Sequence, residues 1–170
     1  YKEVKDTTVV ALFKVIKNDQ SSFLFDDPNE DVRIAAWTTT PWTLPSNTAL
    51  CAGPDISYIK IKTSNPYTHT PVSVVLAEAL VPNWFGGKNQ STVEGQSAAF
   101  KGSKMKGIRY EPLLDFGNEI EPLLGGTDAY LVLTGDHVTT SDGTGIVHTA
   151  PSFGADDQRV AKANGVGTLT

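Results

Sequence analysis

Apolar positions along this chain fall in short runs separated by clusters of Gly, Pro, Asn and Asp, a pattern of strands and turns rather than long helices. Thr7 to Ile16 is rich in Val and Phe and predicts a strand. A polar, acidic loop follows over Asp19 to Asp31, with a turn at Asp26-Asp27-Pro28-Asn29, and then a second strand over Val32 to Thr38. In Ile56 to Lys62 the alternation puts Ile59 and Ile61 on one face and Lys60 and Lys62 on the other, which predicts a half-buried strand. Asn65-Pro66-Tyr67-Thr68 reads as a turn and Val72 to Leu76 as the returning strand of a hairpin. Ala77 to Trp84 predicts a short helix and Gly86 to Ala98 a mobile loop. Tyr130 to Thr134 and Gly145 to Thr149 read as strands around a turn at Ser141-Asp142-Gly143. Ala155 to Asn164 is the clearest helix: Asp156 and Asp157 lie in its first turn, Lys162 near its end, and Asn164-Gly165 is a stop signal. The expected fold class is mainly β, a barrel or curled sheet with a few peripheral α-helices, in a single domain over residues 1–170.

Composition narrows the classes of function. With 170 residues and 39% hydrophobic content the chain can bury one ordinary core, and no apolar run reaches the roughly 18–20 residues of a membrane span. Fourteen Lys and Arg against 19 Asp and Glu leave a net charge of −5, which argues against an autonomous grip on nucleic acid. Lys101, Lys104, Lys106 and Arg109 form a local basic patch, which residue type alone assigns to a solvated face. The single cysteine, Cys51, makes no internal disulfide and reads as core. His69 and His137 sit in turn-like polar contexts and read as surface residues. No Cys/His cluster offers a metal site, and no cofactor is expected. A reducing, cytoplasmic setting is expected, and the start without Met or signal peptide suggests a domain cut from a longer protein.

Two stretches carry candidate chemistry. In Trp37-Thr38-Thr39-Thr40-Pro41-Trp42-Thr43-Leu44-Pro45-Ser46-Asn47, consecutive threonines place hydroxyls on both faces of a strand end, and two prolines stiffen the turn that follows. Such an end can bind a polar ligand or orient a water; a Thr-rich edge strand with structural prolines explains the same residues. In Gly143-Thr144-Gly145-Ile146-Val147-His148-Thr149-Ala150-Pro151, followed by Gly154, Asp156 and Asp157, His148 shares the face of Ile146. Asp157, in a first helical turn, is expected to stay ionised and to suit an ammonium ligand. Ordinary helix-start acids and a core histidine are the plainer reading. Phosphate-cradling loops and a Gly-x-Ser-x-Gly elbow are absent from the sequence, and Gly143-Thr144-Gly145 is too short to count as one.

Together these motifs resemble the editing insertion (connective peptide 1) of isoleucyl-tRNA synthetases. Tyr1-Lys2-Glu3-Val4, Lys101-Gly102-Ser103 and Tyr110-Glu111-Pro112-Leu113 fit the same order, and His148-Thr149-Ala150-Pro151 points to the isoleucyl rather than the valyl or leucyl branch. The resemblance implies a β-barrel of the Val/Ile/Leu editing type, without the ligase active site. It implies hydrolysis of the ester of mischarged Val-tRNA(Ile) by an oriented water, with isoleucine excluded by size. Thr39 and Thr40 would position the water and the ester, and Asp157 would hold the α-ammonium. His148 would wall the side-chain pocket, Thr38 would line the site, and Asn47 would contact the terminal adenosine, while Trp42 is expected to pack. The implied partners are the aminoacylated 3′ end of tRNA(Ile), with Lys101 to Arg109 aiding its capture, and the remainder of the synthetase; no membrane is involved and a monomer is expected. A valyl-type domain acting on Thr-tRNA, or a non-catalytic acceptor-end module, are the alternatives.

Overall fold

The computed structural model describes residues 9–38, 41–47, 49–65, 68–85, 87, 92–112, 130–141 and 143–149. The described strands are β1 (Val9–Lys14), β2 (Val32–Thr38), β3 (Ala49–Ala52), β4 (Ser57–Ser64), β5 (Pro71–Ala77), β6 (Gly95–Gln96), β7 (Phe100–Lys101), β8 (Leu131–Thr134) and β9 (Ile146–Thr149). They form one sheet whose hydrogen-bonded path runs β6-β4-β5-β2-β9-β3-β8, with β1 added on β2 and β7 on β4. The mainly-β expectation holds, and β4 and β5 form the anticipated hairpin, with an antiparallel register from Tyr58 opposite Ala77 to Ser64 opposite Pro71.

One helical expectation needs correction in type. Ala77 to Trp84 is not α-helical: Glu78–Asn83 is a 3-10 turn that contains Pro82, whose missing N–H cannot serve an α-helical ladder. Further 3-10 turns span Ser22–Leu24, Pro41–Ser46 and Gly102–Met105, and no α-helix occurs among the described residues. The expected helix over Ala155 to Asn164 lies outside them. Part of the stretch read as a mobile loop, Gly95–Gln96, pairs with Ile61 and Lys62 of β4.

The sheet is buried on both sides. Phe13, Ile34, Leu50, Tyr58, Val75 and Ile146 meet in the main core. Ala35, Ile59, Ile61, Val74 and Leu76 form a second cluster on the opposite side of β2, β4 and β5, partly covered by Trp84 and Phe85. The alternation in β4 is therefore real, but the face expected to be solvated carries Tyr58 and Lys60 into the core, while Lys62 further along it keeps a side chain that is 44% exposed. Lys60 is 1% exposed. Its ammonium is held by the Leu24 carbonyl at 2.6 Å, by Glu30 at 2.8 Å and by Asp26 at 3.3 Å. A buried cation is tolerable only when its protons and its charge are both matched, and the acidic loop supplies both.

One further expectation changes and one holds. The two ring nitrogens of His137 are buried with no hydrogen-bond partner among the described residues, so this residue is half-buried rather than freely exposed. Cys51, by contrast, is core, packed with Ala49, Leu131 and Leu133.

Candidate functional site

β2 brings the threonine-rich peptide to the site. Its first half pairs in parallel with β5, from Val32 opposite Ser73, and its far end pairs with β9 through Trp37 opposite Val147. Thr38 ends β2 as a buried residue. Pro41 opens the 3-10 turn Pro41–Ser46, a position where its fixed φ suits the turn and its missing N–H goes unneeded. The chain returns as β3, antiparallel to β9, with Leu50 opposite His148. Turn and strand together place Thr43, Asn47 and His148 around one buried point.

Entry into β9 depends on glycine. Gly143 and Gly145 adopt φ of +73° and +77°, where side chains are strained, and a Cβ on Gly145 would lie 2.5 Å from the Ala77 Cβ. Between them the Thr144 hydroxyl donates to the Ala35 carbonyl at 2.7 Å. These glycines serve backbone geometry. Tyr58 fixes the same corner, accepting from the Gly53 N–H at 2.8 Å and donating to the Gly145 carbonyl at 2.5 Å.

His148 is 7% exposed and both its ring nitrogens are engaged. Asn47 Nδ2 donates to the Ala49 carbonyl at 2.9 Å and lies 2.7 Å from His148 Nδ1. A backbone carbonyl only accepts, so the amide atom facing it is the nitrogen, and its second proton meets Nδ1. That nitrogen therefore carries its lone pair and the ring proton sits on Nε2, 2.8 Å from Thr43 Oγ1. The Asn47 oxygen accepts from the Tyr110 hydroxyl at 2.5 Å. Burial pushes His148 down to about 4, against an opposing hydrogen bond to the Thr43 backbone, so the imidazole is neutral at physiological pH. Burial pushes Tyr110 well above its ordinary value, with the Asn47 bond opposing, so its phenol stays a donor.

The structure thus gathers two of the residues singled out from sequence, Asn47 and His148, with Thr38 at the end of the strand leading to them. Thr39, Thr40 and Asp157 lie outside the described residues. Asn47 is 5% exposed, and its amide protons and oxygen are engaged inside the fold rather than turned to a ligand. Trp42 does not pack as expected: it is 71% exposed, because the 3-10 turn projects position 42 outward while Thr43 goes in. Thr43 and Tyr110 were missed. Thr43 lies within the threonine-rich motif, and Tyr110 stands in a matched segment to which no role was attached. In the basic patch, Lys101 bonds the Asp55 carbonyl at 3.2 Å and Lys104 lies 4.4 Å over the Phe23 ring. Among the described residues no group of three His, Cys, Asp or Glu is placed to hold a metal ion, and no helix is long and apolar enough to cross a membrane.

Comparison with known proteins places this geometry. No family model matches the chain. Isoleucine--tRNA ligase of Porphyromonas gingivalis is 46% identical over 182 residues, covering 99% of this chain and 15% of that protein. The ligase of Bacteroides fragilis is 45% identical over 181 residues with the same coverage, and that of Clostridium tetani is 39% identical over 166 residues, 98% of this chain and 13% of that protein. The chain therefore spans about 15% of the length of the first of these relatives. In fold it is similar to the crystal structure of GlLeuRS-CP1, with a TM-score of 0.69 at 19% identity over 92% of this chain and 59% of that one. The Plasmodium knowlesi cytosolic leucyl-tRNA synthetase editing domain gives 0.62 at 15% identity over 94% and 65%.

Proposed function

We propose, from the premise that this chain belongs to the isoleucyl-tRNA synthetase family and shares the fold of leucyl-tRNA synthetase editing domains, that it hydrolyses the aminoacyl ester of Val-tRNA(Ile). The need is physical. One methylene in a hydrophobic pocket is worth only about 1–3 kcal/mol of discrimination, so a ligase pocket that accepts isoleucine also passes some valine. A second site too small for isoleucine removes the error.

The observation that carries this reading is the buried chain Tyr110–Asn47–His148–Thr43 at the root of the threonine-rich peptide. A histidine neutral at pH 7 and bonded at both nitrogens suits a pocket wall better than a general base. The ester is already activated, so no protein nucleophile is needed; orientation of a water and exclusion of the larger side chain are sufficient. Thr39 and Thr40 would position the water and ester, and Asp157 would hold the α-ammonium. A charge-assisted bond there contributes about 1.5–3 kcal/mol. The exposed face of Trp42 offers an apolar surface beside this peptide.

The test is deacylation of Val-tRNA(Ile), Ile-tRNA(Ile) and Thr-tRNA(Val) by the protein that carries this chain. Hydrolysis of the valyl ester with the isoleucyl ester spared is expected. Preference for the threonyl ester would favour a valyl-type specificity, and binding of a non-hydrolysable valyl-adenosine analogue without turnover of any ester would make this an acceptor-end binding module.

A further inference from the structure

We infer that Tyr110, acting through Asn47, is a positioning residue for the deacylation site: its hydroxyl closes a one-way hydrogen-bond chain that holds His148 as the Nε2–H tautomer and turns the Thr43 proton away from the imidazole. The functional half of this inference rests on the deacylase reading; the structural half stands on geometry alone.

The chain has one workable direction. With the Asn47 amide flipped, its oxygen would face the Ala49 carbonyl, two acceptors 2.9 Å apart. In the observed direction each contact pairs a donor with an acceptor, ending at Thr43 Oγ1 as acceptor from Nε2. A threonine hydroxyl is otherwise a free rotor, so accepting from a fixed N–H limits where its own proton points.

Tyr110 is built to hold its end of this chain. Its ring meets Phe13 edge-on at 5.1 Å and Tyr130 edge-on at 6.1 Å. Its backbone bridges to Val15, and its N–H donates to the Tyr130 carbonyl at 3.1 Å. It reaches Asn47 across 63 residues of sequence. Without the phenol, the buried Asn47 oxygen would have no donor from Tyr110, and an unmatched buried acceptor is costly. The amide would relieve that cost by rotating, which draws Nδ2 off His148 Nδ1 and admits the other ring tautomer. Small misplacements of orienting groups lower turnover steeply.

Tyr110→Phe keeps the ring and removes only the hydroxyl. In the full protein, deacylation of Val-tRNA(Ile) is expected to lose about tenfold in kcat while KM stays within about twofold. In 15N-histidine spectra of the same protein, His148 should change from a single Nε2–H form to a mixture. Unchanged kcat, or a loss that only tracks the fraction of folded protein while the His148 spectrum stays single, would overturn the inference. If the wild-type protein hydrolyses no ester, the deacylase reading fails, and the spectra alone judge the chain: Nε2–H giving way to a mixture in Tyr110→Phe upholds it, and Nδ1–H in the wild type refutes it.

Discussion

Replacing Lys60 by Met removes a buried charge at nearly constant volume and tests how the acidic loop is held to the sheet. The Lys60 side chain is 2% exposed and that of Glu30 11%. Losing the ammonium leaves the Leu24 carbonyl without its donor and Glu30 without its counter-charge, although the Ser73 hydroxyl at 2.5 Å and the Asp26 N–H at 2.9 Å still reach the carboxylate. Breaking one partner of a buried pair costs about 3–5 kcal/mol. Because Glu30 keeps two hydrogen bonds, the lower end applies; the Asp26 contact is to a largely solvated carboxylate and adds little. About 3 kcal/mol in a domain of this size lowers Tm by roughly 6–12 °C, readable by calorimetry. The pH dependence discriminates further. In the wild type, burial works to raise Glu30, but Lys60, Ser73 and the Asp26 N–H outweigh it and hold the carboxyl below its ordinary 4.5. That stability is present above pH 4.5 and lost as pH falls through the lowered folded value. In Lys60→Met both contributions of Lys60 are gone and the folded value rises above that of the wild type, so protonation relieves the mutant first. The Tm gap should therefore be full at pH 7 and shrink towards pH 4. A gap below about 2 °C, or one constant across that range, would refute the reasoning.

Other outcomes follow from the site and its supports. Asp157→Ala should abolish deacylation of Val-tRNA(Ile) while circular dichroism and Tm stay near wild type; retained turnover would remove Asp157 from the site. His148→Ala should weaken the sparing of Ile-tRNA(Ile), measured as the ratio of valyl to isoleucyl ester hydrolysis. With its folded value near 4 against 6.5 in the unfolded chain, His148 contributes stability that is full above pH 6.5 and lost as pH falls towards 4, and His148→Gln should flatten that part of the Tm profile. Tyr58→Phe removes both bonds to Gly53 and Gly145 and should cost about 1–3 kcal/mol in urea unfolding.

Which parts of this structure were legible beforehand follows from where their information sits. β2, β5, β8 and β9 announce themselves because β-branched runs end at turn residues close by in sequence. β3 is Ala-Leu-Cys-Ala, buried at every position, so it has no alternation to read. The two-residue strands β6 and β7 exist only because β4 offers them an edge. The parity of Lys60 was readable but its face was not, since the carboxylate that makes its burial tolerable lies 30 residues earlier. At the site, the threonine-rich peptide and His148 stood out as motifs. Thr43 and Tyr110 did not, because their roles arise from hydrogen bonds spanning 105 and 63 residues.

The span between Thr43 and His148 also sets a schedule. A ribosome adding 5–20 residues per second needs roughly 5–20 s to travel those 105 residues. During that time β2 can pair with β1 and β5, whose contacts are nearer in sequence, while its far end waits for β9. Long-range pairings of this kind are slow because loop closure must come first. The buried chain around His148 is thus among the last of the described contacts to form, and a nascent polypeptide that stops short of Gly143 holds a threonine-rich peptide without His148 to face it.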